Sequence, residues 1–137
     1  MPEMAAAKTA HAPRPKALLA RVSAICLALP ESTCGDSGHG GHAVFRVRNK
    51  VFAYFLNSHH GDGIISVCFK CAPGEQQDLI ELNPKLYYGP AYIGPRGWAG
   101  LRLDVGQVSW PQVKQHIVQS FCLTAPKTVL RRLALHH

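Results

Sequence analysis

The chain has 137 residues, with 15 Lys and Arg against 8 Asp and Glu, for a formal charge of +7 at pH 7. With 47% hydrophobic and 17% charged residues it can bury one core, which excludes wholesale disorder and a large two-domain enzyme. The basic excess suits an anionic partner such as nucleic acid, anionic lipid or a phosphorylated ligand, and equally serves plain solubility.

Residues 1–13, with three consecutive alanines and two prolines, read as a flexible N-terminal tail, and residues 14–137 as a single domain. A first helix is predicted over 15–29 and stops at Pro30, which cannot continue it. On that helix Leu18, Val22, Ile25 and Leu29 fall within an arc of about 60°, with Arg21 at its flank. Arg21 interrupts what would otherwise resemble the apolar region of a signal peptide, and no small-x-small cleavage site follows, so an amphipathic core helix is expected. No apolar run approaches the roughly 20 residues needed to span a bilayer, so no membrane association is expected. Five cysteines, an odd and scattered set, argue against a secreted disulfide framework, and a reducing, cytoplasmic setting is the expectation.

Gly35, Asp36, Ser37, Gly38, Gly40 and Gly41 read as a polar loop. Residues 43–48 and 51–56 are extended runs separated by Asn49 and Lys50, a two-residue hairpin turn. Alternation puts Phe45 and Val47 on one face and Val44, Arg46 and Arg48 on the other, so one hairpin gathers Arg46, Arg48 and Lys50. A glycine-marked loop from His59 to Gly63 precedes a third strand over 64–71, with Ser66, Cys68 and Lys70 opposite Ile65, Val67, Phe69 and Cys71. Pro73 opens a second helix ending near Leu82, with Glu75 and Asp78 placed early to suit the helix dipole. Residues 83–97, with three prolines and three glycines, read as a loop that delivers Arg96 and Trp98 to a fourth strand. There Ala99, Leu101, Leu103 and Val105 alternate with Gly100, Arg102 and Asp104. Ser109 and Gln112 resemble a capping box for a third helix with Trp110, Val113, Ile117 and Phe121 on one face. Pro126 opens a last helix, apolar at Val129, Leu130, Leu133 and Ala134 and basic at Lys127, Arg131 and Arg132. The order of elements implies an α+β domain whose antiparallel sheet is covered on one face.

Catalytic signatures are scarce. Cys68 and Cys71 match a CxxC pattern, but on a strand an odd separation points the thiols to opposite faces, and both read as small apolar fillers. His39, His42, His59, His60 and Asp62 could together hold a divalent metal, yet glycine-rich loops with exposed histidines are ordinary connections. His59 and His60 are read instead as lining a surface groove, and Asp62-Gly63 as a turn. No nucleophile sits in a G-x-S-x-G turn, and neither a P-loop nor G-x-G-x-x-G occurs. A non-enzymatic protein without metal or cofactor is the expectation. Its better signal is basic: Arg46, Arg48 and Lys50 on the hairpin, Lys70 on the next strand, Arg96 ahead of Trp98, and Arg102 beyond it. Such donors on a common surface suit phosphate contacts, and a protruding hairpin can lie along a groove. A solvated basic rim, with Trp98 in the core, accounts for the same residues.

Several landmarks recur in order: Leu29-Pro30-Glu31, Phe45-Arg46-Val47 with Lys50 and Phe52-Ala53, Lys70 with Pro73, Gly97-Trp98, Ser120-Phe121, and Pro126-Lys127. Over residues 18–133 this series resembles the MmcQ/YjbR family of small bacterial proteins. The run from Tyr54 to Asn57 followed by His59-His60-Gly61-Asp62-Gly63 is similar to one subgroup of it. The resemblance implies a CyaY-like α+β fold, a twisted antiparallel sheet packed against helices in a double-wing arrangement. It also implies a cytoplasmic DNA-binding protein that contacts mainly the phosphate backbone, with low sequence specificity. Lys50, Lys70 and Trp98 match family landmarks, whereas Arg46, Arg48 and Arg96 are this chain's own additions. The alternative is a small-molecule binding or sequestering protein, related to drug resistance, whose groove is lined by His59, His60, Lys70 and Trp98. Iron delivery through an acidic ridge, as in frataxins of similar fold, is not expected: Glu3, Glu31 and Asp36 are the acidic residues of the N-terminal third. The oligomeric state stays open.

Overall fold

Apolar residues at helical spacing form α1 (Pro15–Leu27), which buries Val22 and Cys26 and ends ahead of Pro30. The structure, a computed structural model, describes residues 15–36, 41–58, 61 and 63–136. The expected tail over 1–13 lies outside the described residues, as do His39, His59, His60 and Asp62.

Six strands follow: β1 (Ser32–Asp36), β2 (Ala43–Val47), β3 (Lys50–Asn57), β4 (Ile65–Lys70), β5 (Tyr87–Tyr88) and β6 (Trp98–Arg102). They form one antiparallel sheet in the order β1-β2-β3-β4-β6-β5. Gly35 and Asp36, expected in a loop, belong instead to β1, paired with Val44 and Ala43. Tyr87 and Tyr88 likewise leave the expected 83–97 loop to pair with β6. The β6 ladder closes at Arg102, short of the expected Val105, although the Leu103 N–H still donates to the Ile65 carbonyl at 2.8 Å.

The β2–β3 turn falls one residue earlier than Asn49-Lys50. Arg48 (φ 50) and Asn49 (φ 67) both adopt the left-handed region that a two-residue type I′ turn requires, and Lys50 pairs with Val47 as the first residue of β3. Further along, Phe45 pairs with Ala53 while Arg46 pairs with Val51, which leaves Phe52 as the extra residue of a β-bulge. The bulge turns Phe52 into the core with Ala53 and Phe55. Its ring meets that of Phe121 edge to face, with centroids 5.2 Å apart.

All of the main core lies on one side of the sheet. Phe45, Phe55, Val67 and Phe69 meet Val22 and Cys26 from α1 and Val113, Ile117 and Phe121 from α3 (Trp110–Thr124). Each fully buried phenylalanine contributes about 1.5–3 kcal/mol. Helix α2 (Glu75–Leu82) starts later than Pro73, because Gly74 takes a left-handed φ of 82° and the Glu75 carboxylate accepts the Ala72 N–H at 2.9 Å. The capping box expected at Ser109 does not form. Ser109 occupies the cap position without a side-chain bond, and Gln112 donates instead to the Tyr87 hydroxyl. Helix α4 (Lys127–His136) closes the chain and buries Val129. Among the described residues no helix is long and apolar enough to cross a membrane.

Candidate functional site

Strand alternation sends a second set of side chains to the opposite side of the sheet: Val44 and Arg46 from β2, Tyr54 and Leu56 from β3, Ser66, Cys68 and Lys70 from β4, and Trp98, Gly100 and Arg102 from β6. Leu56, Cys68 and Trp98 form a small buried cluster there, flanked by Val51, Tyr54 and Ile93. Among the described residues no α-helical side chain joins it. This is the helix-free face of the sheet, roofed in part by the loop that carries Ile93.

One end of this face concentrates charge. The register sets Arg46 opposite Val51 and Lys70 opposite Trp98, both at the end where Lys50 leaves the β2–β3 turn. The Lys70 Nζ lies 5.8 Å from the centre of the Trp98 ring, and the Tyr54 ring tilts against Trp98 at 5.3 Å. Partial burial and then the nearby charge of Lys50 hold the Lys70 ammonium below its ordinary pKa. Arg46 leans over β1, where Gly35 leaves it room: a Cβ there would stand 3.2 Å from the guanidinium. Among the described residues, no carboxylate is ion-paired with Arg46, Lys50 or Lys70.

The remaining basic residues named from the sequence go elsewhere. Arg48 turns to Glu31, its guanidinium donating at 2.5 and 3.0 Å, and Arg132 from α4 reaches the same carboxylate at 2.8 Å. The bond from Arg48 and the two guanidinium charges hold the Glu31 carboxyl below its usual range. Arg102 sits at the far end of the face and donates to Asp104 at 3.0 and 3.1 Å. Burial pushes the Asp104 carboxyl up, but the bond and charge of Arg102 outweigh it and the net shift is downward. Arg96 is exposed on a single turn of 3-10 helix (Gly94–Arg96) beside Trp98. Trp98 itself is only 6% exposed, so it anchors the small cluster and offers little open ring. Of the proposed small-molecule groove, His59 and His60 lie outside the described residues, and Lys70 and Trp98 are in contact.

Tyr54 is the aromatic that sequence reasoning missed on this face. Simple alternation would put Phe52, Tyr54 and Leu56 together, and the bulge at Phe52 separates the first from the other two. Tyr88 also joins the face by lying over Gly100, its hydroxyl sharing a 2.7 Å hydrogen bond with Ser66.

A polar cluster lies on the helix side. The Tyr87 hydroxyl and His116 Nε2 share a 2.8 Å hydrogen bond, and the His116 ring stacks on Phe69 with centroids 4.4 Å apart. Burial lowers the pKa of His116, opposed by the charge of Glu75, and burial raises that of Tyr87. Glu75 accepts from Gln119 at 2.8 Å. Cys68 and Cys71 fall on opposite sides of the sheet, and none of the five cysteines is in a disulfide. Burial pushes the Cys71 thiol up to about 12 and raises Cys26 and Cys122 as well, which keeps these sulfurs protonated and poorly nucleophilic. The His42 Nδ1 accepts the Asn57 N–H at 3.1 Å. No group of three or more His, Cys, Asp or Glu suited to a metal ion occurs among the described residues.

The YjbR family model matches residues 27–123. No curated protein matches the chain. Among solved structures, the chain is similar to the crystal structure of the Deinococcus radiodurans protein DR2400, which has a DUF419 domain. Sequence identity is 19% and the TM-score 0.62, over 74% of this chain and 74% of that one. At that identity the likeness speaks for the shared fold.

Proposed function

The chain belongs to the YjbR family, and from that premise we propose that it is a non-enzymatic, cytoplasmic DNA-binding protein that holds phosphates at one end of its helix-free sheet face. The observation that carries this reading is that Arg46 and Lys70 project from one end of that face, where Lys50 leaves the β2–β3 turn beside Lys70, with no ion-paired carboxylate on any of the three among the described residues. An ammonium that is partly desolvated beside a second cation, as Lys70 is beside Lys50, is relieved by an incoming anion. The β2–β3 hairpin serves as one wing lying along the phosphate backbone. Contacts of this kind fix position without reading bases, so sequence preference is weak.

Three phosphate contacts correspond to a slope of about −3 in log K against log salt for duplex DNA. Fluorescence anisotropy of a labelled 20-base-pair duplex across a salt series measures it. Reversal of Arg46, Lys50 or Lys70 to Glu weakens binding about tenfold or more at low salt, whereas Arg48→Glu has a smaller effect because Arg48 is held by Glu31. No binding at low salt, or an affinity indifferent to salt, overturns the reading.

A further inference from the structure

The helices leave a cleft of their own, independent of the sheet's outer face. Where α1 and α3 meet the core, Val22 and Cys26 pack with Val113 and Ile117 and the contact is closed. Further out, Ala28, in the turn just past the end of α1, presents a small side chain, and a groove of about 620 Å³ opens between Ile25 and Ala28 on one wall and Trp110 and Val118 on the other. That volume lies within the roughly 300–1,000 Å³ of small-molecule sites.

The groove's polar groups share one sign. The Arg21 guanidinium carbon stands 4.5 Å from the centre of the half-buried Trp110 ring, and Lys114 lies one turn along α3 from that ring. Neither α1 nor α3 contains an acidic residue, and among the described residues neither cation is ion-paired. A guanidinium that rests its face on an indole still has its edge free to donate in the plane, as a carboxylate requires.

We propose that this groove binds a small amphipathic organic anion, its flat or linear apolar body lying against Ile25, Ala28 and Val118 and its carboxylate held between Arg21 and Lys114. The apolar walls supply burial, and the two cations select a charged head over a neutral one of the same shape. The charge complementarity and the volume together favour such a ligand over a partner helix, which would need a longer trough.

The test uses the full chain with 8-anilinonaphthalene-1-sulfonate as fluorescent probe and dodecanoate and dodecanol as competitors. One saturable site is expected, with quenching of Trp110. The double variant Arg21→Gln, Lys114→Gln should lose about tenfold or more in dodecanoate affinity and keep its dodecanol affinity. Both substituted residues are exposed, so the fold is retained. Ala28→Trp, at an exposed position, should fill the groove and abolish probe binding with an unchanged circular dichroism spectrum. Lys70→Glu, which tests the DNA reading, should leave probe binding as it was. An unaltered dodecanoate affinity in the double variant, or probe binding that survives Ala28→Trp, overturns the proposal. So does a dimer in sedimentation velocity that Ala28→Trp dissociates, which would make the groove an interface between two copies.

Discussion

The Ser120 hydroxyl donates to the Phe52 carbonyl at 2.6 Å, across 68 residues of chain. The same oxygen accepts the Lys70 N–H at 2.8 Å. The β3–β4 ladder ends at Ala53 and Phe69, one step before Phe52 and Lys70 would pair, because Phe52 is the bulged residue. One hydroxyl from α3 therefore replaces a rung of the sheet and holds the strand end from which Lys70 projects.

Ser120→Ala leaves both backbone groups without that partner in a site closed to water. The expected cost is about 1–3 kcal/mol, read in urea as a lower midpoint with an unchanged slope. A shift of only a few tenths of a kcal/mol would mean that the strand end re-pairs on its own.

Stability should fall on mild acidification because of His116. Burial holds its folded-state pKa below the ordinary value of 6.5, so the unfolded chain takes up a proton that the folded chain refuses. The contribution is complete above about pH 6.5 and declines as pH falls from there toward the folded pKa, at no more than about 1.4 kcal/mol per pH unit. His116→Gln should flatten the urea midpoint between pH 7.5 and 5.5. The depressed carboxyls of Glu31 and Asp104 act lower, below their own ordinary range, and leave this window to His116.

Gly100→Ala should cost about 1–3 kcal/mol, because its new Cβ would collide with the Tyr88 ring. Tyr88 cannot swing away without giving up its bond to Ser66. In the double variant with Tyr88→Ala the two losses should not add, and full additivity in a thermal unfolding cycle would refute the collision.

Glu31→Gln should strengthen DNA binding. The carboxylate holds both Arg48 and Arg132, and its neutralisation frees Arg48 at the tip of the β2–β3 turn. The salt slope should steepen by about one, with the gain in affinity largest at low salt. An unchanged slope would place the Arg48 tip away from the DNA.

The four inner strands β2, β3, β4 and β6 and helices α1, α3 and α4 were legible in the sequence because large apolar residues repeat there at the period of two or of 3.6, whereas α2, which buries no residue, was legible from Pro73 and its early Glu75 and Asp78. The outward parity of Arg46 and Lys70 follows from the same alternation. β1 was not legible: Ser-Thr-Cys-Gly-Asp has no large apolar residue to repeat, and its pairing with β2 is dictated by backbone bonds alone. β5 hid among prolines and glycines as two residues held by β6. The turn shifted because an arginine at positive φ is uncommon, so Asn49-Lys50 looked the better pair. Tyr54 escaped because a bulge changes parity without a mark in composition. The capture of Arg48 by Glu31 joins positions 17 apart in sequence, which no local pattern reports.

Strands β1 to β4 are neighbours in the sheet in the order in which they occur in the chain, and only β5 and β6 exchange places. Such a ribbon can zip from one turn to the next with little loop entropy to overcome. The contact between Ser120 and Phe52 must close a far longer loop, and it gains a partner only after both the bulge and α3 exist. Docking of α3 is therefore expected to be a late step of folding. Loss of the Ser120 hydroxyl should accelerate unfolding while leaving the refolding rate nearly untouched, which places the durability of the folded state in a single oxygen atom at the sheet's end.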